Sequence, residues 1–115
     1  IAAKPKKLII PSALQFVATR LLQTELRVGT ADNDLNALKT NGAIPGGYTV
    51  NHYLTDGNGW FLTTDVPNGA KMFVRAPMST GSDVDFDSGN VRYKARERYS
   101  FGISDPLGMF GSSGA

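Results

Sequence analysis

Residues 91–104 read Val-Arg-Tyr-Lys-Ala-Arg-Glu-Arg-Tyr-Ser-Phe-Gly-Ile-Ser. By parity, Val91, Tyr93, Ala95, Glu97, Tyr99, Phe101 and Ile103 form one set; Arg92, Lys94, Arg96, Arg98, Ser100 and Gly102 form the other. Successive side chains of a strand point to opposite faces. The stretch therefore predicts a long strand with an apolar, aromatic face, broken only by Glu97, and an opposite face bearing four cations. At about 3.3 Å per residue the cations stand about 6.7 Å apart. Such a strand needs apolar cover on one side and acid or water on the other.

Working outward, residues 77–90 read as a polar loop entering that strand. Residues 70–76 read as another strand, expected to stop at Pro77 because proline has no N–H for a ladder. Residues 48–54 alternate, 60–64 are apolar and β-prone, and a Thr-Asp-Gly-Asn-Gly turn cluster separates them, so 48–64 reads as a hairpin. Residues 7–10 predict a short buried strand broken by Pro11. Leu14, Val17, Ala18, Leu21 and Leu22 follow at helical spacing, and Ser12 with Gln15 has the spacing of a capping box, which predicts a helix over 12–26. Residues 28–47 form a polar, turn-rich loop of a length that usually serves a function, with Leu35, Ala37 and Leu38 tacking part of it down. An apolar segment at 107–110 closes the ordered chain before a small, flexible tail. The fold class is α+β: one clear helix, then a mainly antiparallel sheet.

Composition narrows the function. The chain of 115 residues is one domain's worth, or a piece of a larger one. Net charge is only +2, less than the cation row alone, so the protein is not generally basic like those that coat nucleic acid. It has no cysteine, which excludes disulfides and thiolate chemistry. No apolar run reaches the length of a membrane span. The opening Ile-Ala-Ala-Lys-Pro-Lys-Lys has no initiator Met and no signal-peptide order, and reads as the interior of a longer chain.

Candidate chemistry is sparse. Asp83, Asp85 and Asp87 alternate as calcium ligands can, but Ser88 and Lys94 stand where such a loop requires Gly and Glu. A solvated acidic loop, or one meeting a neighbour's cations, fits better. His52, the single histidine, lacks a Gly-x-Ser-x-Gly partner and reads as a structural residue on a strand, which leaves a small hydrolase poorly supported. The glycines at 42–47 and 108–114 lack the Lys-Ser/Thr of a phosphate loop and read as turns. Neither cofactor nor metal is expected. Three surroundings suit the cation row: nucleic-acid phosphates, carboxylates of a neighbouring subunit, or plain solvent along an edge strand. The interleaved aromatics point away from the cations, so bases could not stack where phosphates bind.

Several segments, in order, resemble one family. They are Asn51-His52-Tyr53-Leu54-Thr55-Asp56, the run from Trp60 to Gly69, and above all the run from Phe86 to Gly102, with Asp32-Asn33-Asp34-Leu35-Asn36 in the long loop. Together they resemble the C-terminal part of the major capsid protein of tailed phages, of the Mu-type head subunit family. The sequence departs from that pattern at Ile103, where Trp is expected, and at Leu107, where a basic residue is expected. The resemblance implies the tailed-phage capsid fold, with residues 1–66 and 105–115 axial-domain-like and 67–104 peripheral-domain-like strands. It implies a structural, non-enzymatic subunit that self-assembles into an icosahedral head enclosing DNA. The nucleic-acid-binding module on strand 92–98 is the alternative. Expected partners are copies of itself in pentamers and hexamers and, non-specifically, packaged DNA, with no membrane and no small-molecule substrate. The expected location is the virion capsid, and host cytoplasm during assembly. Expected subunit-interface residues are Arg92, Lys94, Arg96, Glu97, Arg98, Asp32 and Asp34. Expected core residues are Leu14, Val17, Leu21, Trp60, Phe61, Tyr99 and Phe101.

Overall fold

A computed structural model of the chain describes residues 2–27, 29, 31 and 34–114. The fold is α+β and mostly antiparallel, with one clear helix. Strand β1 (Pro5–Ile10) leads through a 3-10 turn (Ser12–Leu14) into helix α1 (Gln15–Gln23). A short helix α2 (Ala37–Thr40) precedes β2 (Tyr48–Val50) and β3 (Trp60–Thr64). Two long strands follow, β4 (Ala70–Val84) and β5 (Val91–Ile103). A second 3-10 turn (Pro106–Gly108) then enters β6 (Met109–Ser112). The strands form a four-stranded sheet in the order β2-β1-β3-β6 and a separate two-stranded ribbon, β4-β5.

Strand β1 ends in the most apolar run of the first half, Leu-Ile-Ile, and takes the centre of the sheet, where both edges are paired. Ile10 is 2% exposed and Pro11 is also buried. This placement corrects the expected 48–64 hairpin: β2 and β3 are not neighbours, because β1 lies between them. The helices supply the crossover that lets β2 run parallel to β1, which a tight turn cannot do. Residues 51–59 are instead a turn-rich connection, in which Asn51 accepts from Tyr53 N and Asp56 from Asn58 N, each at 3.0 Å. His52 lies there, exposed in a turn rather than on a strand. On the far edge β6 pairs with β3, and the Trp60 and Phe110 rings lie 5.7 Å apart.

Helix α1 is shorter than the predicted 12–26. Pro11 O accepts from Leu14 N at 3.2 Å, so Ser12 falls inside a 3-10 turn instead of preceding the helix, and its capping box does not form. The helix lays Ala18, 3% exposed, against the sheet, and Thr19 shares a hydrogen bond with the Tyr48 hydroxyl at 2.9 Å. It stops at Gln23, where Thr24 turns extended. Asn36 closes that end: its Nδ2 donates to Leu21 O at 2.8 Å and to Thr24 O at 3.0 Å, while its Oδ1 accepts from Leu38 N and so caps α2. One asparagine thus satisfies the last carbonyls of one helix and starts the next. The described part of the 28–47 loop is correspondingly ordered. Leu26 bridges Leu35, Arg27 N donates to Asp34 O at 2.8 Å, and Asn36 N donates to Glu25 O at 2.9 Å.

Pro77 does not stop β4. The strand runs on to Val84 through two bulges, one between Val74 and Ala76 and one between Ala76 and Ser79. Both extra residues lie on β4, which has 15 residues to the 13 of β5, so β5 keeps its alternation unbroken. A bulge on a strand with an open edge is where proline can stand without costing a ladder bond. The ribbon turns at 85–90, with Gly89 at φ +69 and its N–H donating to Asp85 O at 2.8 Å.

The ribbon leaves the sheet at a tight crossing. A Cβ on Gly108 would lie 2.3 Å from Gly69 Cα, so only glycine allows the two backbones to meet there. Ser104 N donates to Gly69 O at 3.1 Å, and Thr64 Oγ1 donates to Leu107 O at 2.7 Å. The chain measures 79 × 33 × 26 Å with a radius of gyration of 21.6 Å. A compact chain of this length would have about 13 Å.

This shape corrects the expected core. Leu14, Trp60 and Phe61 are half-buried, but Val17, Leu21, Tyr99 and Phe101 are exposed in the single chain. The reason is geometric. Among the described residues nothing packs on either face of the two-stranded ribbon, and α1 fully buries only Ala18.

Candidate subunit interface

In an antiparallel pair, residues directly across from one another share a face. The register therefore sorts the ribbon. Tyr99 faces Val74, Phe101 faces Met72, and Ile103 faces Ala70. These residues form one apolar face near the ribbon's base, with the Tyr99 and Phe101 rings edge to face at 5.4 Å. Phe101 is 73% exposed and Ile103 62%. Glu97 belongs to this same face by alternation and is exposed.

The cationic face is equally open. Arg98 stands across from Ala76, Arg96 from Ser79 and Lys94 from Gly81. None of these partners can neutralise a cation. The missing Cβ of Gly81 is where the Lys94 stem passes, 3.3 Å from where that atom would be. Only Arg92 is paired, its Nη2 bonding Asp85 Oδ2 at 3.0 Å. Asp85 also accepts from Ser88 Oγ at 2.9 Å. Among the described residues the one other salt bridge joins Lys39 and Glu25, so Lys94, Arg96 and Arg98 have no acidic partner among them.

The expected interface residues do not come together. Asp34 lies exposed beside α2 on the four-stranded unit, while the cation row lies along the ribbon. Asp32 falls outside the described residues. Phe86 was not among the expected site residues, yet it is 99% exposed at the ribbon's apex. Its signal was an aromatic between two Asp within a turn. Asn36 was not singled out either, although an Asn just before Ala-Leu-Lys is a cap signal.

Among the described residues no group of three His, Cys, Asp or Glu is placed to hold a metal, consistent with Asp85 being engaged by Arg92 and Ser88. Among the described residues no helix is long and apolar enough to cross a membrane. The arrangement is instead one of surfaces: an extended ribbon open on both faces, one apolar and one basic, carried by a small sheet.

A family model described as phage capsid protein matches residues 1–111. The chain therefore belongs to the phage capsid protein family. Its role is structural, its place is the capsid of the virion, and its partners include other capsid subunits. No curated protein and no solved structure gives a significant match.

Proposed function

We propose that the chain is the C-terminal part of a major head subunit of the Mu type, which self-assembles into an icosahedral shell around DNA. The observation that carries this reading is the ribbon: two strands about 45 Å long, at about 3.3 Å per residue, with neither face covered. An isolated two-stranded ribbon is marginal in water, so it calls for a partner surface. In this reading the four-stranded unit, residues 1–66 and 105–115, is axial and contributes to pentamers and hexamers, and residues 67–104 are peripheral strands. Arg92, Lys94, Arg96, Glu97 and Arg98 meet neighbouring subunits, and the 28–47 loop, with Asp32 and Asp34, lies at an intersubunit junction. Exposed ion pairs are individually worth about 0–1 kcal/mol, but symmetry repeats each one over the whole lattice. Assembly takes place in the host cytoplasm, no catalytic step belongs to the chain, and non-specific contact with packaged DNA falls on the shell's inner surface.

Negative-stain microscopy of the full-length protein tests this directly. Closed particles of uniform size are expected. A protein that stays monomeric at assembly concentrations would refute the reading. Deleting part of the 28–47 loop should impair particle formation, and normal particles from that deletion would remove the loop from the interface.

A further inference from the structure

The ribbon neutralises its own charge only at one end. Near the apex Arg92 stands across from Asp83 and bonds Asp85 at 3.0 Å. Along the shaft, Lys94, Arg96 and Arg98 stand across from Gly81, Ser79 and Ala76, and find no acid among the described residues. The segment 83–92 holds three Asp against one Arg, so the apex is acidic while the shaft is basic. Phe86, between Asp85 and Asp87, is 99% exposed at that apex. The residues opposite the cations are small, and the aliphatic stem of Lys94 lies over Gly81 on the basic face.

Charge decides how two such ribbons can meet. Side by side in register, two shafts would set cation against cation, which like-charge repulsion forbids. Apex to shaft, the carboxylates meet unpaired guanidinium and ammonium groups. The exposed ring then meets the cations and their aliphatic stems, and cations attract the face of an aromatic ring. We infer that the apex of one ribbon, through Asp83, Phe86 and Asp87, docks on the Lys94–Arg98 face of a second copy. The inference rests on the shell reading above and names the surfaces in contact. Because two different patches meet, the contact is heterologous and propagates from copy to copy, forming rings or extended arrays.

The full-length subunit tests it. Asp83→Lys with Asp87→Lys, or Arg96→Glu with Arg98→Glu, should each cut the yield of closed particles about tenfold or more. Combining both reversals in one chain restores complementarity and should restore particles. A second measurement does not depend on yield. This chain has no cysteine, so once any cysteine elsewhere in the subunit is replaced by serine, Phe86→Cys and Arg96→Cys subunits can be mixed and treated with a short bis-maleimide. The mixed adduct should exceed that from either variant alone by about tenfold. Reversals that assemble like wild type, a combined reversal no better than its parts, or an Arg96→Cys probe captured by a different protein would overturn the contact. A wild type that forms no particles overturns the shell reading, and this contact with it.

Discussion

The four-stranded unit and the ribbon differ first in what they bury. In the unit, a Leu-Ile-Ile strand is flanked on both edges, a helix lays Ala18 on the sheet, and Asn36 ties the end of α1 to the start of α2. In the ribbon every residue of β5 except Gly102 is exposed, aromatics included. One region completes much of its own packing. The other presents long backbone pairing with no cover, the kind of exposed surface on which partners dock. In the proposed reading, the difference puts stability in one half of a capsid chain and assembly in the other.

The largest test of that division is the rate of amide exchange. In the unassembled chain, β5 amides should exchange about a hundredfold faster than those of β1, because little apolar area holds the ribbon shut. In assembled particles the gap should close, and equal protection in the free chain would break the comparison. Next in size, Ile10→Ala should cost about 2–5 kcal/mol in urea unfolding, while Phe101→Ala should change stability by about 0.5 kcal/mol or less. Gly108→Ala should cost about 1–3 kcal/mol by the same measurement, since a Cβ there meets Gly69 Cα at 2.3 Å. It sharpens the comparison because it strikes a place where the two regions are locked together. Smallest, Asn36→Ala should cost about 0.5–2 kcal/mol in thermal melts, with loss confined to the α1–α2 end of the unit.

Much of the ribbon was legible in the sequence. The alternation at 91–103 predicted β5 and both of its faces, because side-chain direction along a strand is a local property with a period of two. Helix α1 was legible by its stripe, though Pro11 started a 3-10 turn that used up Ser12 and moved the helix start to Gln15. Three readings failed for one reason. The apparent 48–64 hairpin dissolved because β1, far away in sequence, took the place between β2 and β3. Pro77 looked like a terminus because its tolerance depends on a bulge and an open edge that no local pattern announces. Tyr99 and Phe101 looked like core because apolar alternation says which residues share a face, not whether anything covers it.

By itself, then, the amino-acid order determined the character of the elements: a strand with a basic and an aromatic side, a helix with an apolar stripe, and membership of a capsid family. The tertiary structure alone decided which strands are neighbours, that β4 passes Pro77, that the backbones entering and leaving the ribbon meet at Gly69 and Gly108, and that its cations oppose small neutral residues. Period and propensity act over a few residues, whereas pairing, burial and charge neutralisation are set by groups brought together from distant parts of the chain.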